Sequence, residues 1–212
     1  MAKVISALPL QFTGKLGDVV GYMQNGVHRV RKAPRPRSNL PTAKEQVQRE
    51  KFRLIAKLLN PIAPLLNKGF GTSSRKPGFS KAFSVNYKQI FQETCDGVQI
   101  DFEKVQLSSG ILLKPLAVAA ASHETSKLIF FWKNEEGLQH VCHFDSDQAF
   151  VAIYCEEFGQ WIYRFDVAER KEERCVVDVA AFADKTVHVY IGFVRDKGWI
   201  SESLYGGRVR VK

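Results

Sequence analysis

The stretch Lys127-Leu128-Ile129-Phe130-Phe131-Trp132 is typical of a buried β-strand, because five of its six residues are apolar and aromatic or β-branched types are enriched. Turn-forming residues bound it, and similar segments recur at short, fairly even intervals through the rest of the chain. The other segments are residues 116–120, 139–144, 149–156, 160–166, 174–181, 186–194 and roughly 199–210. No helical periodicity of useful length interrupts them. The pattern predicts an all-β antiparallel sandwich over residues 110–212.

The first 109 residues predict an α+β region, which begins with a β-hairpin over residues 19–30. Asn25-Gly26 supplies the two left-handed residues of a type I′ turn. That turn predicts three cross-strand pairs: Gln24 with Val27, Met23 with His28, and Tyr22 with Arg29. We expect the last pair to form a cation–π contact.

A basic arm and two helices are predicted after the hairpin. In Arg29-Val30-Arg31-Lys32-Ala33-Pro34-Arg35-Pro36-Arg37, five of nine residues are Lys or Arg, and the prolines favour an extended chain. Thr42-Ala43-Lys44-Glu45 is a capping box that starts a helix, and Pro61 ends it near Asn60. A second helix is predicted from about Ser80, followed by a half-buried strand over Val98–Phe102 and a domain boundary near Gly110. The predicted domains are therefore residues 1–109 and 110–212.

Charge is distributed unevenly along the chain. Residues 1–110 hold 18 Lys and Arg against 7 Asp and Glu, whereas residues 111–212 hold 13 against 15. The formal net charge of +9 therefore comes from the N-terminal half, at +11, opposed by −2 in the C-terminal half. A basic half favours a polyanion or an acidic protein surface as partner. The alternative is a solvated face whose charge is matched by the acidic half.

The basic residues define the candidate binding site. Its predicted members are Arg29, Arg31, Lys32, Arg35 and Arg37 of the arm, with Arg49, Arg53 and Lys57 of the first helix. The last three recur at every fourth residue and so share one helix face, where Glu45 and Glu50 are near enough to relieve them. Arginine suits phosphate through its planar fork of donors. Tyr22 is the only obvious aromatic residue nearby, so readout of single-stranded bases is not well supported.

Other chemistry-bearing residues point away from catalysis. His140 and Cys142 share one face of a strand while His143 faces the other, so that even with Asp145 and Asp147 nearby, too few ligands converge for a zinc site. Of the four cysteines, Cys95, Cys142, Cys155 and Cys175, none stands in a CxxC pair, and we expect reduced thiols. Cys95 and Cys155 look exposed, but neither stands in a nucleophile setting, and His188 is placed on a core strand. We therefore expect no enzyme activity, cofactor or metal.

The sequence also leads to expectations about cellular location and about sugar binding. No apolar run approaches the length of a membrane span, and the N-terminus is a poor secretory signal, so a cytoplasmic protein without membrane insertion is expected. Trp161 or Trp199 could stack on a sugar ring if exposed, although each could equally pack into the core.

Four stretches together resemble an uncharacterised family found mainly in Bacteroidetes. They are the Gly14–Gly17 start with the Val19–Arg31 hairpin, the basic arm, the Thr42…Gln46…Arg49…Phe52 helix and the Lys104–Gly110 junction. The resemblance implies a C-terminal sandwich of the fibronectin type III or immunoglobulin-like kind, with Trp132 and Tyr190 at matching positions. The N-terminal part is also similar to a pattern in some phage structural proteins. The family implies a fold and no activity.

Three functions remain open on these grounds. The first is a non-catalytic structural or interaction protein, such as a phage-like assembly component, whose basic half binds an acidic protein surface or mediates self-association. The second is a nucleic-acid-binding module, for which salt-sensitive affinity is the expected signature. The third is a carbohydrate-binding or enzyme-associated sandwich.

Overall fold

A computed structural model describes residues 3–6, 11–24, 26–34, 40–71, 77–94, 97–122, 126–134, 144–195 and 198–212. It confirms the predicted fold class, an α+β N-terminal region followed by an all-β antiparallel sandwich. By internal packing the chain forms two compact units, Met1–Thr42 and Ala43–Lys212. No helix in these ranges combines the length and apolar character that a bilayer crossing demands.

The N-terminal unit is a four-stranded antiparallel sheet in the order β1-β2-β3-β4. Its strands are β1 (Lys3–Ser6), β2 (Gln11–Leu16), β3 (Val19–Gln24) and β4 (Val27–Lys32). The β3–β4 register has the three predicted pairs, Gln24 with Val27, Met23 with His28 and Tyr22 with Arg29. The predicted cation–π partner is wrong, because the guanidinium over the Tyr22 ring, at 5.7 Å, belongs to Arg31. Arg31 is the diagonal neighbour of Tyr22, and a diagonal position on the same face is still within reach of a side chain as long as arginine.

Three helices open the second unit: α1 (Ala43–Leu59), α2 (Ala63–Phe70) and α3 (Gly78–Gln89). The α1 bounds confirm the predicted helix. The sequence missed α2, because the chain passes through a short 3-10 turn (Asn60–Ile62) and starts a new helix instead of entering a loop. Pro61 and Pro64 each occupy a first-turn position, where a missing N–H removes no helical hydrogen bond. The predicted strand at Val98–Phe102 is the second half of a hairpin, β5 (Phe91–Thr94) and β6 (Gly97–Ile100), and Phe102 belongs to a 3-10 turn (Phe102–Lys104).

The sandwich consists of two antiparallel sheets. One has the order β11-β8-β7, and the other has the order β10-β9-β12, with β13 and β14 both pairing to β12. Their bounds are β7 (Ala117–Ser122), β8 (Lys127–Lys133), β9 (Gln148–Cys155), β10 (Gln160–Arg164), β11 (Arg174–Asp178), β12 (Thr186–Arg195), β13 (Trp199–Ile200) and β14 (Leu204–Arg210). The predicted segment 139–144 lies almost wholly outside the described residues. Side chains from both sheets, including Phe130, Trp132, Val151 and Phe193, form the core between them.

Strands β9 and β12 are buried on both faces. Alternate residues such as Val151 and Ile153 face the sandwich core. The residues between them, including Phe150 and Tyr154, face a second core formed with the helices and the 91–107 region. This explains why the compact unit begins at residue 43, a different place from the predicted division at 109/110. The helices cover one face of the sheet and share a core with it, although helices and strands are different kinds of secondary structure.

A buried ion cluster lies at one end of the sandwich. Asp147, fully buried, accepts hydrogen bonds from Arg195, with a second contact at 3.1 Å, and pairs with the buried Arg170 at 3.1 Å. Arg170 also donates to the Leu113 carbonyl and lies 3.8 Å from the centre of the Phe193 ring. Burial lowers the pKa of Arg170, and the negative charge of Asp147 acts in the opposite direction. The cluster joins three chain segments distant in sequence, so its role in the described structure is structural.

Candidate functional site

The predicted basic residues belong to both compact units. Within the N-terminal unit, they project from opposite faces of the sheet. Arg29 and Arg31 alternate along β4 and so project from one face of the sheet, whereas Lys32 projects from the other. Arg35 and Arg37 lie outside the described residues. Arg49, Arg53 and Lys57 are exposed on α1 of the second unit.

The face that carries Arg29 and Arg31 also presents Lys15 and Tyr22, because the register places Lys15 opposite Val20 and Val20 opposite Arg31. We name Lys15, Tyr22, Arg29 and Arg31 the cationic face. Arg29 and Arg31 are exposed, and the Arg31 guanidinium covers the Tyr22 ring. The tyrosine therefore holds one arginine in place while the other stays free to orient towards solvent.

The cationic face has few carboxylates of its own. Residues 1–42 contain seven Lys and Arg and a single acidic residue, Asp18. Asp18 lies at the β2–β3 turn, where its main-chain carbonyl accepts a 2.7 Å hydrogen bond from Ala33. Between described residues, no ion pair involves Arg29, Arg31 or Lys32. The positive charge of this face is therefore left for water, counterions or a partner to neutralise.

The opposite face of the same sheet is mostly apolar, and besides its apolar side chains it carries His28 and Lys32. Phe12 is buried with its ring over Gly21, where an added Cβ would come within 2.9 Å of two ring carbons. Leu16, Met23 and Val30 remain 49%, 53% and 57% exposed. Within residues 12–24 and 26–34, Phe12 is the one large apolar side chain that is buried. The two-sided character of this sheet was not predicted from the sequence, although the predicted strand pairing already implies the alternation.

One predicted member of the helix face is already neutralised. Arg53 makes two hydrogen bonds to the Glu50 carboxylate, one of them at 3.0 Å from Nε. This hydrogen bonding lowers the pKa of Glu50 and raises that of Arg53. Arg49 and Lys57 make no ion pair within the described part of the chain. Arg53 is consequently a weaker candidate for partner binding than Arg49 or Lys57.

Lys57 lines a groove of about 430 Å³ that the sequence did not predict. The groove lies between α1, β6 and the end of β9, and its wall residues are Leu54, Lys57, Leu58, Val98, Gln99, Ile100, Phe102, Tyr154 and Glu156. Beside it, His188 is buried and stacked on Phe102 with a centroid distance of 4.1 Å. Its Nδ1 is 2.9 Å from the Tyr205 hydroxyl, while Nε2 lies 3.7 Å from the Glu156 carboxylate and has no hydrogen-bond partner among described atoms.

Three further candidate residues, Cys155, Cys175 and Asp147, are buried in the protein. Cys155, expected to be exposed, is fully buried in the sandwich core, and burial raises the pKa of Cys175 to about 12. Asp147 is engaged by two arginines, and no group of three potential metal ligands occurs among the described residues. Cys95, His140, Cys142 and His143 lie outside them.

The two tryptophans proposed for sugar stacking differ in exposure. Trp161 donates its indole N–H to the Leu58 carbonyl and packs against Tyr154 and Tyr190, so it contributes to the second core. Trp199 is 37% exposed, with the Arg195 guanidinium 5.5 Å from its ring centre. Trp161 is half-buried with its indole N–H and ring both engaged by the protein, and the exposed part of Trp199 lies beside a guanidinium.

Comparison with known proteins gives a family and weak structural neighbours. The model of DUF6266, a family of unknown function, matches residues 11–207. No curated protein matches the sequence. Among solved structures, the fn3 domain of human collagen alpha-1(XX) chain is 21% identical, covers 50% of this chain and 85% of its own, and has a TM-score of 0.34. A structure of titin kinase and its flanking domains is 13% identical, covers 48% of this chain and 17% of its own, and has a TM-score of 0.34.

Proposed function

The chain belongs to DUF6266, a family of unknown function, and we propose that it is a non-catalytic interaction protein whose N-terminal sheet binds an acidic protein surface. The single observation that carries this proposal is the cationic face, because its exposed arginines have no ion-pair partner among the described residues. A role as a component of a phage-like assembly remains a prediction from the sequence pattern.

The size of the N-terminal unit supports a binding role. Among the described side chains of this 42-residue unit, Phe12 is the one large apolar group that is buried, and small sheets need a further surface for stability. Its charge also favours association with an acidic partner, which electrostatic attraction would steer towards the cationic face. Both properties are expected of an element that is completed by binding.

An acidic protein is favoured over nucleic acid by the arrangement of side chains on the cationic face. Non-specific binding of single strands uses aromatic rings as stacking platforms along a basic groove. The face offers one ring, Tyr22, and Arg31 already lies over it. The apolar side chains on the reverse of the sheet likewise suit a protein partner better than a phosphate backbone.

The test measures binding of the full chain to fluorescent poly-L-glutamate and, separately, to duplex DNA by fluorescence anisotropy. The variant R29E/R31E should lose poly-L-glutamate binding. The matched control K88E/R210E changes the net charge equally at exposed positions of the second unit and should retain it. Affinity should fall steeply between about 50 mM and 200 mM salt, since ionic contacts carry it.

Two outcomes would contradict the proposal. Equal losses in R29E/R31E and K88E/R210E would mean that net charge alone attracts the probe, with no special role for the cationic face. Tight DNA binding that R29E/R31E abolishes, together with negligible binding of poly-L-glutamate, would replace the acidic protein by nucleic acid as the partner.

A further inference from the structure

Strand β4 forms one edge of the N-terminal sheet, because it pairs with β3 on one side and with no other strand of the described sheet. The phase of its hydrogen bonding follows from the 2.7 Å bond that Ala33 N–H donates to the Asp18 carbonyl. In an antiparallel ladder alternate residues turn their backbone groups to the same neighbour. Residues 27, 29 and 31 therefore direct theirs to β3, and His28, Val30 and Lys32 direct theirs outward.

The side chains of β4 alternate in step with this backbone pattern. Arg29 and Arg31 project on the cationic face, while His28, Val30 and Lys32 project on the apolar face. Val30 is 57% exposed, so the edge presents an apolar side chain beside its outward backbone groups. Pro34 occupies the next outward position and has no N–H, which ends the open edge there.

The charges on β4 determine which strand could pair with this edge. Open edges are templates for further strands, and cationic residues are a common protection against self-pairing. A second copy of β4 would bring arginines against arginines, which is destabilising. A strand with carboxylates opposite Arg29 and Arg31 removes that repulsion. The same charges that exclude another copy therefore select an acidic segment.

We propose that β4 binds an extended acidic segment of the partner as a fifth, antiparallel strand, with carboxylates on the cationic face and apolar residues beside Val30. This inference rests on the proposed function and adds the mode of recognition and the pattern of the ligand. The expected ligand alternates acidic and apolar residues, because successive side chains of a strand point to opposite faces. Its main chain supplies affinity, and its carboxylates supply selectivity.

The test uses a peptide of alternating Glu and Val and the full-length chain. In the proposed pairing the Val residues turn their N–H groups to β4, and the Glu residues turn theirs away. N-methylation of the Val residues should weaken binding by more than roughly tenfold, since it removes inter-strand hydrogen bonds. N-methylation of the Glu residues is the matched control and should leave the affinity nearly unchanged.

The outcomes separate this inference from the proposed function. If both methylated peptides bind like the parent, or if only poly-L-glutamate binds, strand addition is wrong although the cationic face still binds acidic partners. If R29E/R31E binds the parent peptide as tightly as the natural chain, the proposed function itself fails. A peptide of the same composition with its Glu residues clustered should bind more weakly, and equal binding would count against the alternating pattern.

Discussion

Asp147 is the residue on which the buried ion cluster depends. It is fully buried and pairs at 3.1 Å with Arg170, which is 1% exposed; the charge of Asp145 acts on Arg170 in the same direction but more weakly. Removing one member of a buried pair leaves the other charged and unsolvated. We therefore expect Asp147→Asn to lower the free energy of unfolding by about 3–5 kcal/mol in urea titrations followed by tryptophan fluorescence.

The control for this prediction is the exposed ion pair between Glu157 and Lys185, with atoms 2.7 Å apart. Glu157→Gln breaks that pair where water solvates both groups, so the free energy of unfolding should change far less than in Asp147→Asn. Similar losses in the two variants would show that burial does not determine the importance of these ion pairs.

Because His188 is a buried titratable residue, we expect the stability of the protein to fall in acid. Burial lowers the pKa of its imidazole; Arg208 acts in the same direction, while Glu156 opposes both. The unfolded chain, with an ordinary pKa of about 6.5, then binds a proton at a higher pH than the folded chain. The contribution of His188 is therefore fully present above about pH 6.5 and is lost as the pH falls from there towards the folded pKa.

The measurement is the free energy of unfolding at several values between about pH 7.5 and pH 5, where one proton contributes a slope of at most about 1.4 kcal/mol per pH unit. His188→Gln keeps a polar side chain that cannot titrate, and it should flatten the curve in that window relative to the natural chain. Parallel curves for the two proteins would exclude His188 as the source of acid sensitivity.

At the scale of elements, strands β9 and β12 contribute side chains to both cores. One face of their sheet packs in the sandwich core, and the other packs against the helices. Phe150 and Tyr190 contribute to the core shared with the helices, and both are fully buried. A chain of residues 111–212 alone would expose that apolar face to water, which favours unfolding or aggregation. We expect this fragment to lack a cooperative thermal transition or to precipitate, as measured by circular dichroism and light scattering.

The matched fragment is residues 43–212, which keeps the helices and the sandwich together. Because it is compact by its own packing, it should melt cooperatively within a few degrees of the full chain. A stable, monomeric 111–212 fragment would mean that the helical layer contributes little to the sheet, and the predicted division at 109/110 would then describe the folding units.

At the scale of the whole molecule, the two compact units differ in composition. Residues 1–42 hold a net charge of +6, and residues 43–212 hold +3 although they are four times as long. The larger unit has two continuous cores, whereas the smaller has one buried aromatic side chain in its described part. Both described cores therefore belong to the larger unit, and the concentrated charge belongs to the smaller one, where the binding role is proposed.

Local patterns were enough to determine several parts of this protein. The Asn25-Gly26 pair predicts the register that the structure shows between β3 and β4, and the α1 bounds follow from residues near each end of the helix. The strand count of the sandwich has the same local origin, since apolar runs between turns need no knowledge of their partners. The position of Arg29 and Arg31 beside Tyr22 was predictable for this reason.

Long-range packing decided what the sequence could not. The ion cluster joins Asp147, Arg170 and Arg195, and the groove joins Lys57 of α1 to Glu156 at the end of β9. Neither of these has a period or a motif, because burial, ion pairing and a sheet covered on both faces are properties of segments that meet only after folding. The sequence alone thus determined the elements and their charge, and the tertiary structure decided which of those charges remain unpaired on the described surface.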